Sequence, residues 1–354
     1  MSRLKKLIAD MPLEMDAVLV TSEVNQFYLT GFRYESGYVL ITRGKSYVFA
    51  DSRYIEAAKK QANPEFKVMP LKGKITEYLG NALTVESVKT IGFENSVMTC
   101  SAFDSLKRNF PDYEFTAIGD LINNLREYKD SGEIADITAA QRIAELAFDH
   151  ILGYISPENT EIDIALELEF FMRKNGSQGS AFDIIAVSGS ASSLPHGVPR
   201  NCKLEQGFLT MDYGAVVNGY RSDMTRTVSI GKATDKMRKI YDTVLTAQLT
   251  ALNMIKEGIK CAALDTAARA VITDAGYGDN FAHTLGHGVG LDIHERPGLH
   301  ANAGDKVLEI GHVVTVEPGI YLEGKFGVRI EDMVAVTPDG AVNLTRPPKH
   351  LIEI

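Results

Sequence analysis

The chain has 354 residues, 45% of them hydrophobic and 23% charged, with 30 glycines and 12 prolines. That leaves room for two domains and a sizeable core, and it excludes disordered, collagen-like and disulfide-scaffold readings. The net charge of −9 arises entirely after residue 130, where 29 acids meet 20 lysines and arginines; residues 1–130 balance at 17 each, so no basic stripe marks a nucleic-acid binder.

The first ten residues carry basic side chains, but their apolar stretch is cut by Asp10, Glu14 and Asp16, unlike a signal peptide. Nothing later approaches the ~20 apolar residues of a membrane span, so a cytoplasmic protein with no membrane partner is expected. Cys100, Cys202 and Cys261 are too few and too scattered for a disulfide framework or a CxxC zinc site. Residues 17–20 read as an apolar strand, followed by a further short strand at 28–31. Strands at 38–42 and 46–50 flank the Gly-containing hairpin loop Arg43-Gly44-Lys45. A helix over 53–62, with Ile55, Ala58 and Ala62 on one side, precedes strands at 68–69 and 90–93 and a helix over 73–83. This describes an α/β domain over 1–125 and a second domain over 126–354.

Asp130-Ser131-Gly132-Glu133 has the pattern of a capping box and opens a helix over 132–155; a second helix over 161–175 stops at Asn175-Gly176. Beyond residue 180 the pattern changes to strands and Gly-rich turns. One long helical stripe interrupts them, with Ile240, Val244, Leu245, Leu249 and Leu252, and another helix follows Gly258.

The unusual chemistry lies on either side of that stripe. Asn218-Gly219 between two β-rich runs is a strong hairpin signal. A two-residue turn there sets Val217 opposite Tyr220, Asp212 opposite Thr225, and Asp223 opposite Gly214, which leaves room beside Asp223. The two aspartates then share a face as diagonal neighbours, roughly 7–8 Å apart at the backbone. Two strand aspartates facing solvent would fit the hairpin alone equally well. Three histidines in twelve residues, His283, His287 and His294, are threaded through Gly286, Gly288 and Gly290. Imidazole binds transition metals and exchanges protons near neutral pH. The glycines lack the full dinucleotide fingerprint, and HExxH is absent. Glu317 and Glu331 fall in apolar strands, where a carboxylate is costly unless paired or metal-bound. Arg329 lies two residues from Glu331 on the same strand face, where a plain ion pair is the competing explanation. Asp212, Asp223, His287, Glu317 and Glu331 form an oxygen-rich donor set. Its four carboxylates are balanced by two divalent cations, leaving room for a hydroxide, and the set suits Mn²⁺ or Co²⁺, with Zn²⁺ also compatible.

These motifs resemble the proline-peptidase branch of the metallopeptidase family with the pita-bread fold, which comprises Xaa-Pro aminopeptidase and Xaa-Pro dipeptidase (prolidase). The resemblance runs through Asn25-x-x-Tyr28-Leu29-Thr30-Gly31-Phe32, Ser36-Gly37-Tyr38 and Thr42 to Asp51-Ser52-Arg53-Tyr54. It continues through Met211-Asp212-Tyr213-Gly214, the histidine run, Val316-Glu317-Pro318-Gly319 and Arg329-Ile330-Glu331-Asp332. It implies an α+β architecture: a creatinase/aminopeptidase-like catalytic domain preceded by a smaller, non-catalytic α/β domain. By resemblance, Asp212 serves one metal, Asp223 and Glu331 bridge two, and His287 and Glu317 complete the second site. His196 borders the substrate, His283 and His294 flank the ligand histidine, and Arg329 stands beside the bridging glutamate. A homodimer acting on proline-containing peptides is also implied.

The expected reaction is hydrolysis of an Xaa-Pro bond by metal-activated water. His283 or His294 would steady the oxyanion, and Glu317 would carry a proton to the proline nitrogen. Methionine aminopeptidase-like activity is the rival within enzymes, although its minimal form lacks a domain like residues 1–120. A catalytically silent binding protein on the same fold is the rival from another class. His150, His300, His312 and His350 lie outside the motif, and His150 reads as surface or helix-end structure.

Overall fold

Apolar strands alternate with capped helices from the start of the chain, and the computed structural model describes residues 1–35 and 37–354. Ser36, within the Ser36-Gly37-Tyr38 motif, lies outside the described residues. The chain divides into two units, Met1–Arg126 and Glu127–Ile354.

In the first unit, β1 (Ala17–Val20), β2 (Tyr38–Thr42), β3 (Ser46–Ala50), β4 (Phe66–Pro70), β5 (Thr90–Phe93) and β6 (Glu114–Ala117) form a mixed sheet in the order β4-β3-β2-β1-β5-β6. Helices α1 (Arg3–Asp10), α2 (Glu23–Thr30), α3 (Ile55–Gln61), α4 (Ile75–Val85), α5 (Cys100–Asn109) and α6 (Leu121–Glu127) punctuate it. β1 is buried at every position, pairing antiparallel with β2 and parallel with β5. Its side chains Ala17 and Leu19 pack with Leu40, Phe49, Leu83 and Ile91. The segment at 28–31 is not a strand. The Ser22 side chain accepts from Asn25 N and starts α2, which ends on Gly31 at φ 69°. A hydroxyl cap and a left-handed C-terminal glycine override the apolar look of Tyr28-Leu29.

The second unit opens with the capping box formed by Asp130 and Glu133 at the start of α7 (Ser131–Tyr154). After α8 (Glu161–Lys174), strands β7 (Ile185–Ser188), β8 (Gly207–Tyr213), β9 (Val216–Val217), β10 (Tyr220–Arg221) and β11 (Met224–Ile230) follow. Helices α9 (Asp235–Met254) and α10 (Cys261–Asp274) then precede β12 (Gly286–Gly288), β13 (Glu295–Leu299), β14 (Val313–Val316), β15 (Gly319–Leu322), β16 (Phe326–Arg329), β17 (Asp332–Thr337) and β18 (Gly340–Asn343). The unit repeats one theme. Helices α7 and α8 pack on the sheet β11-β8-β7, and α9 and α10 pack on the strands of β13-β12-β14-β17-β18.

Period two then decides which residues are left for chemistry. Leu209, Met211 and Tyr213 of β8 enter the helix-facing core, as do Met224 and Val228 of β11. Asp212 and its cross-strand partner Thr225 therefore point the other way. Asn218 and Gly219, at φ 48° and 83°, make the two-residue turn that fixes this register, with Tyr220 opposite Val217. Gly214 has a different use from the one its position suggests. A Cβ there would stand 1.8 Å from Ser222 O, so the residue admits the neighbouring backbone rather than the Asp223 side chain. Gly214→Ala is expected to cost at least about 1–3 kcal/mol in a denaturant titration, as overpacking does. Among the described residues no helix is long and apolar enough to cross a membrane.

Candidate metal centre

Four strands and one link bring five polar side chains to one cleft of about 1110 Å³. Asp212 comes from β8, Asp223 from the short link between β10 and β11, His287 from β12, and Glu317 and Glu331 from the ends of β14 and β16. Ligand atoms of Asp223, His287 and Glu331 all lie within 4.8 Å of one another. Nε2 of His287 stands 3.6 Å from Asp223 Oδ2 and 3.3 Å from Glu317 Oε1. The other ring nitrogen of His287 lies 3.1 Å from Gly288 O. A proton on Nδ1 satisfies that carbonyl and leaves the Nε2 lone pair facing the carboxylates, as metal-binding imidazoles require.

Asp212 is held differently. Arg329 donates from Nη2 to its Oδ2 at 2.6 Å, whereas its buried Oδ1 has no hydrogen-bond partner among the described residues. Glu331 accepts from Thr225 Oγ1 at 2.7 Å, and Glu317 accepts from Thr315 Oγ1 at 3.2 Å.

The electrostatics of these groups ask for a cation. Burial, reinforced by the neighbouring carboxylates, pushes Asp223 and Glu331 well above the usual carboxylate range. Asp212 is raised by burial too, against the pull of Arg329. Glu317 goes the other way: burial raises it, but the imidazolium form of His287, with Nε2 protonated and itself favoured by Glu317, outweighs that and holds it down to about 2. Like charges so close cannot all ionise without compensation, and Arg329 offers only one positive charge to four acids. The orphaned Asp212 Oδ1 and the hard, oxygen-rich donors fit divalent cations, with the five side chains as the holding set.

The remaining histidines separate into two kinds. His196 and His294 line the cleft and have no hydrogen bond to protein among the described residues; His294 packs edge-on against His287 at 4.3 Å between ring centres. His283 is tethered at both nitrogens: Nδ1 lies 2.8 Å from Thr284 O, and Nε2 lies 2.9 Å from Tyr321 Oη. The carbonyl fixes the proton on Nδ1, so Nε2 accepts from the Tyr321 hydroxyl. Burial lowers the proton affinity of both His283 and His294. Tyr321, raised to about 12 chiefly by burial, in turn accepts from Arg329 Nη1 at 2.9 Å. An unbroken run thus leads from His283 through Tyr321 and Arg329 to Asp212.

Sequence reasoning passed over Tyr321 and Thr315, and set Thr225 opposite Asp212 without giving it a part in the site. Tyr321 was signalled only by its place four residues after Glu317 in an apolar run. His300, set aside as lying outside the motif, lines the cleft. His150 pairs with Glu167 at 2.6 Å and stacks on Phe171, which is structural.

Residues 135–338 match the model of metallopeptidase family M24, and residues 2–128 match the Creatinase/Prolidase N-terminal domain. A Xaa-Pro dipeptidase of Pyrococcus horikoshii is 36% identical over 99% of this chain and 98% of its own length. Among solved structures, a Xaa-Pro dipeptidase from Bacillus anthracis superposes with a TM-score of 0.96 at 41% identity, covering 99% of each chain. An X-Pro aminopeptidase from Thermotoga maritima gives 0.93 at 37% identity over the whole of both. The family match spans the cleft and every residue of the donor set, and the chain belongs to metallopeptidase family M24, with a pita-bread catalytic domain behind a creatinase/prolidase-type N-terminal domain.

Proposed function

We propose that this chain hydrolyses the bond between an N-terminal residue and proline, in peptides or dipeptides, with two divalent ions held by Asp212, Asp223, His287, Glu317 and Glu331. The observation that carries the reading is the cluster of four carboxylates, three of them buried, around one imidazole and beside the Arg329 guanidinium. The names of the similar enzymes support proline as the leaving residue, and the donor chemistry supports Mn²⁺ or Co²⁺.

When bound, such ions acidify a water and polarise the scissile carbonyl. Glu317 lines the cleft 3.3 Å from His287 Nε2, placed to take a proton from the attacking water and return it to the proline nitrogen. His196 and His294 line the cleft with no hydrogen bond to protein among the described residues, so both can donate to substrate oxygens. Since His283 is satisfied at both nitrogens, its part is to hold Tyr321, and through it Arg329, against Asp212. The half-buried apolar members of the wall, Phe182, Ile184 and Ile185, can receive a proline ring.

The test is turnover of Xaa-Pro dipeptides and Xaa-Pro-Yaa peptides after chelation and after restoration with each metal. Activity is expected to vanish with the metal and return with Mn²⁺ or Co²⁺. Full turnover by rigorously metal-free protein would refute the reading. His283→Ala is expected to keep its bound metal while turnover falls roughly 10- to 1,000-fold. Loss of half the metal in that variant would instead place His283 among the ligands.

A further inference from the structure

The cleft contains a second arginine that the chemistry above does not use. Arg269 and Asp265 sit one turn apart on α10, and both line the cleft. Asp265 is 1% exposed, a buried acid outside the donor set. Arg269 donates to it from Nε to Oδ2 at 3.1 Å and from Nη2 to Oδ1 at 3.0 Å. The same guanidinium donates from Nη1 to Phe281 O at 2.6 Å and from Nη2 to His283 O at 2.9 Å. Asp265 Oδ1 also accepts from Leu285 N at 3.1 Å. The guanidinium lies over the Phe281 ring, 4.2 Å from its centre, and that ring meets His283 edge-on at 5.0 Å.

Residues 281–285 form no strand, and Leu285 alone is tied to the sheet, its N–H to Leu299 O at 3.0 Å and its carbonyl to Glu317 N at 2.8 Å. The other polar backbone groups must find partners elsewhere, and the side-chain pair on α10 supplies them for Phe281 O and His283 O and adds a second acceptor for Leu285 N. We propose that Asp265 and Arg269 are positioning residues for His283, a clamp that sets the backbone and the aromatic support of that imidazole. This rests on the peptidase reading for its kinetic consequence but not for its geometry. A planar fork with five donors reaches a carboxylate and two carbonyls at once, whereas the single ammonium of lysine cannot span them. Placement of His283 then carries through Tyr321 to Arg329 and Asp212.

Arg269→Lys keeps the charge beside buried Asp265 and removes the fork. It is expected to lower kcat on an Xaa-Pro substrate by about 10- to 100-fold, the scale of a small misplacement, with KM and bound Mn²⁺ little changed. In a His283→Ala background the same substitution is expected to change kcat by less than about 2-fold, because what the clamp positions is gone. Equal losses in both backgrounds would overturn the proposal. The double variant Asp265→Asn/Arg269→Gln, which leaves no unpaired charge, repeats the comparison should the lysine variant fail to fold. Histidine-labelled protein gives a reading independent of turnover. The ring signals of His283, identified by their loss in His283→Ala, are expected to shift in Arg269→Lys while those of His312 do not. Unshifted His283 signals would overturn the clamp even in an active enzyme, and absence of Xaa-Pro turnover in the unsubstituted protein would refute only the substrate assignment.

Discussion

Glu331→Gln is expected to empty both cation positions together and to cut turnover by about 1,000-fold or more, with the fold preserved. The amide keeps the shape of the carboxylate, and its oxygen can still accept from Thr225 Oγ1, which stands 2.7 Å from Glu331 Oε2. It lacks the charge and offers one neutral oxygen, turning an NH₂ toward whatever the second carboxylate oxygen faced. Asp212→Asn provides the contrast. One oxygen of Asp212 is already committed to Arg329, and only Oδ1 is without a partner, so it can serve one ion. Titrating Mn²⁺ into both variants and counting bound ions separates the two roles. Selective loss of one ion in both would contradict the expectation that Glu331 serves both ions.

Much of this site is legible in the sequence because one turn dictates it. Asn218-Gly219 permits positive φ at both central positions, which fixes the register, and the register sets Asp212 opposite Thr225. Glu317 and Glu331 stand out for a simpler reason, that an acid in an apolar strand needs a partner. The α9 and α10 helices also follow from their periodicity.

What the sequence conceals is of another kind. Asp265 and Arg269, spaced i and i+4, look like an ordinary surface pair on a helix. Only packing of α10 against residues 281–285 shows that the acid is buried and the guanidinium also holds backbone. Tyr321 is similar, since nothing in a tyrosine four residues after Glu317 reveals that its hydroxyl joins His283 to Arg329. Residues 28–31 misled through composition: local capping of α2 decided the segment, and β propensity did not. Contacts set by one turn or one strand are readable in a chain met alone, while those made between a helix and a distant loop are not.

Arg329→Lys is expected to lower kcat/KM by about 100-fold or more while the chain keeps most of its bound metal. The side chain is 3% exposed and its guanidinium reaches four partners in different directions. Nη2 holds Asp212 Oδ2, Nε donates to Thr225 Oγ1 at 3.0 Å, and Nη1 donates to Tyr321 Oη and to Pro195 O at 3.1 Å. Lysine keeps the positive charge, so Asp212 is not left as an uncompensated buried anion, but one nitrogen cannot occupy three corners of a plane. The lost contacts would disturb several parts of the site at once. Tyr321 loses the donor that orients it toward His283, Thr225 loses the donor to the oxygen that supports Glu331, and the loop carrying His196 loses its tie through Pro195. Stability is expected to fall by about 1–3 kcal/mol, the cost of leaving buried acceptors unsatisfied. Steady-state kinetics, metal analysis and denaturant titration on one preparation separate these effects. Turnover within about 3-fold of the unsubstituted protein would mean that the charge of Arg329 alone is sufficient and that its fork has no part in the reaction.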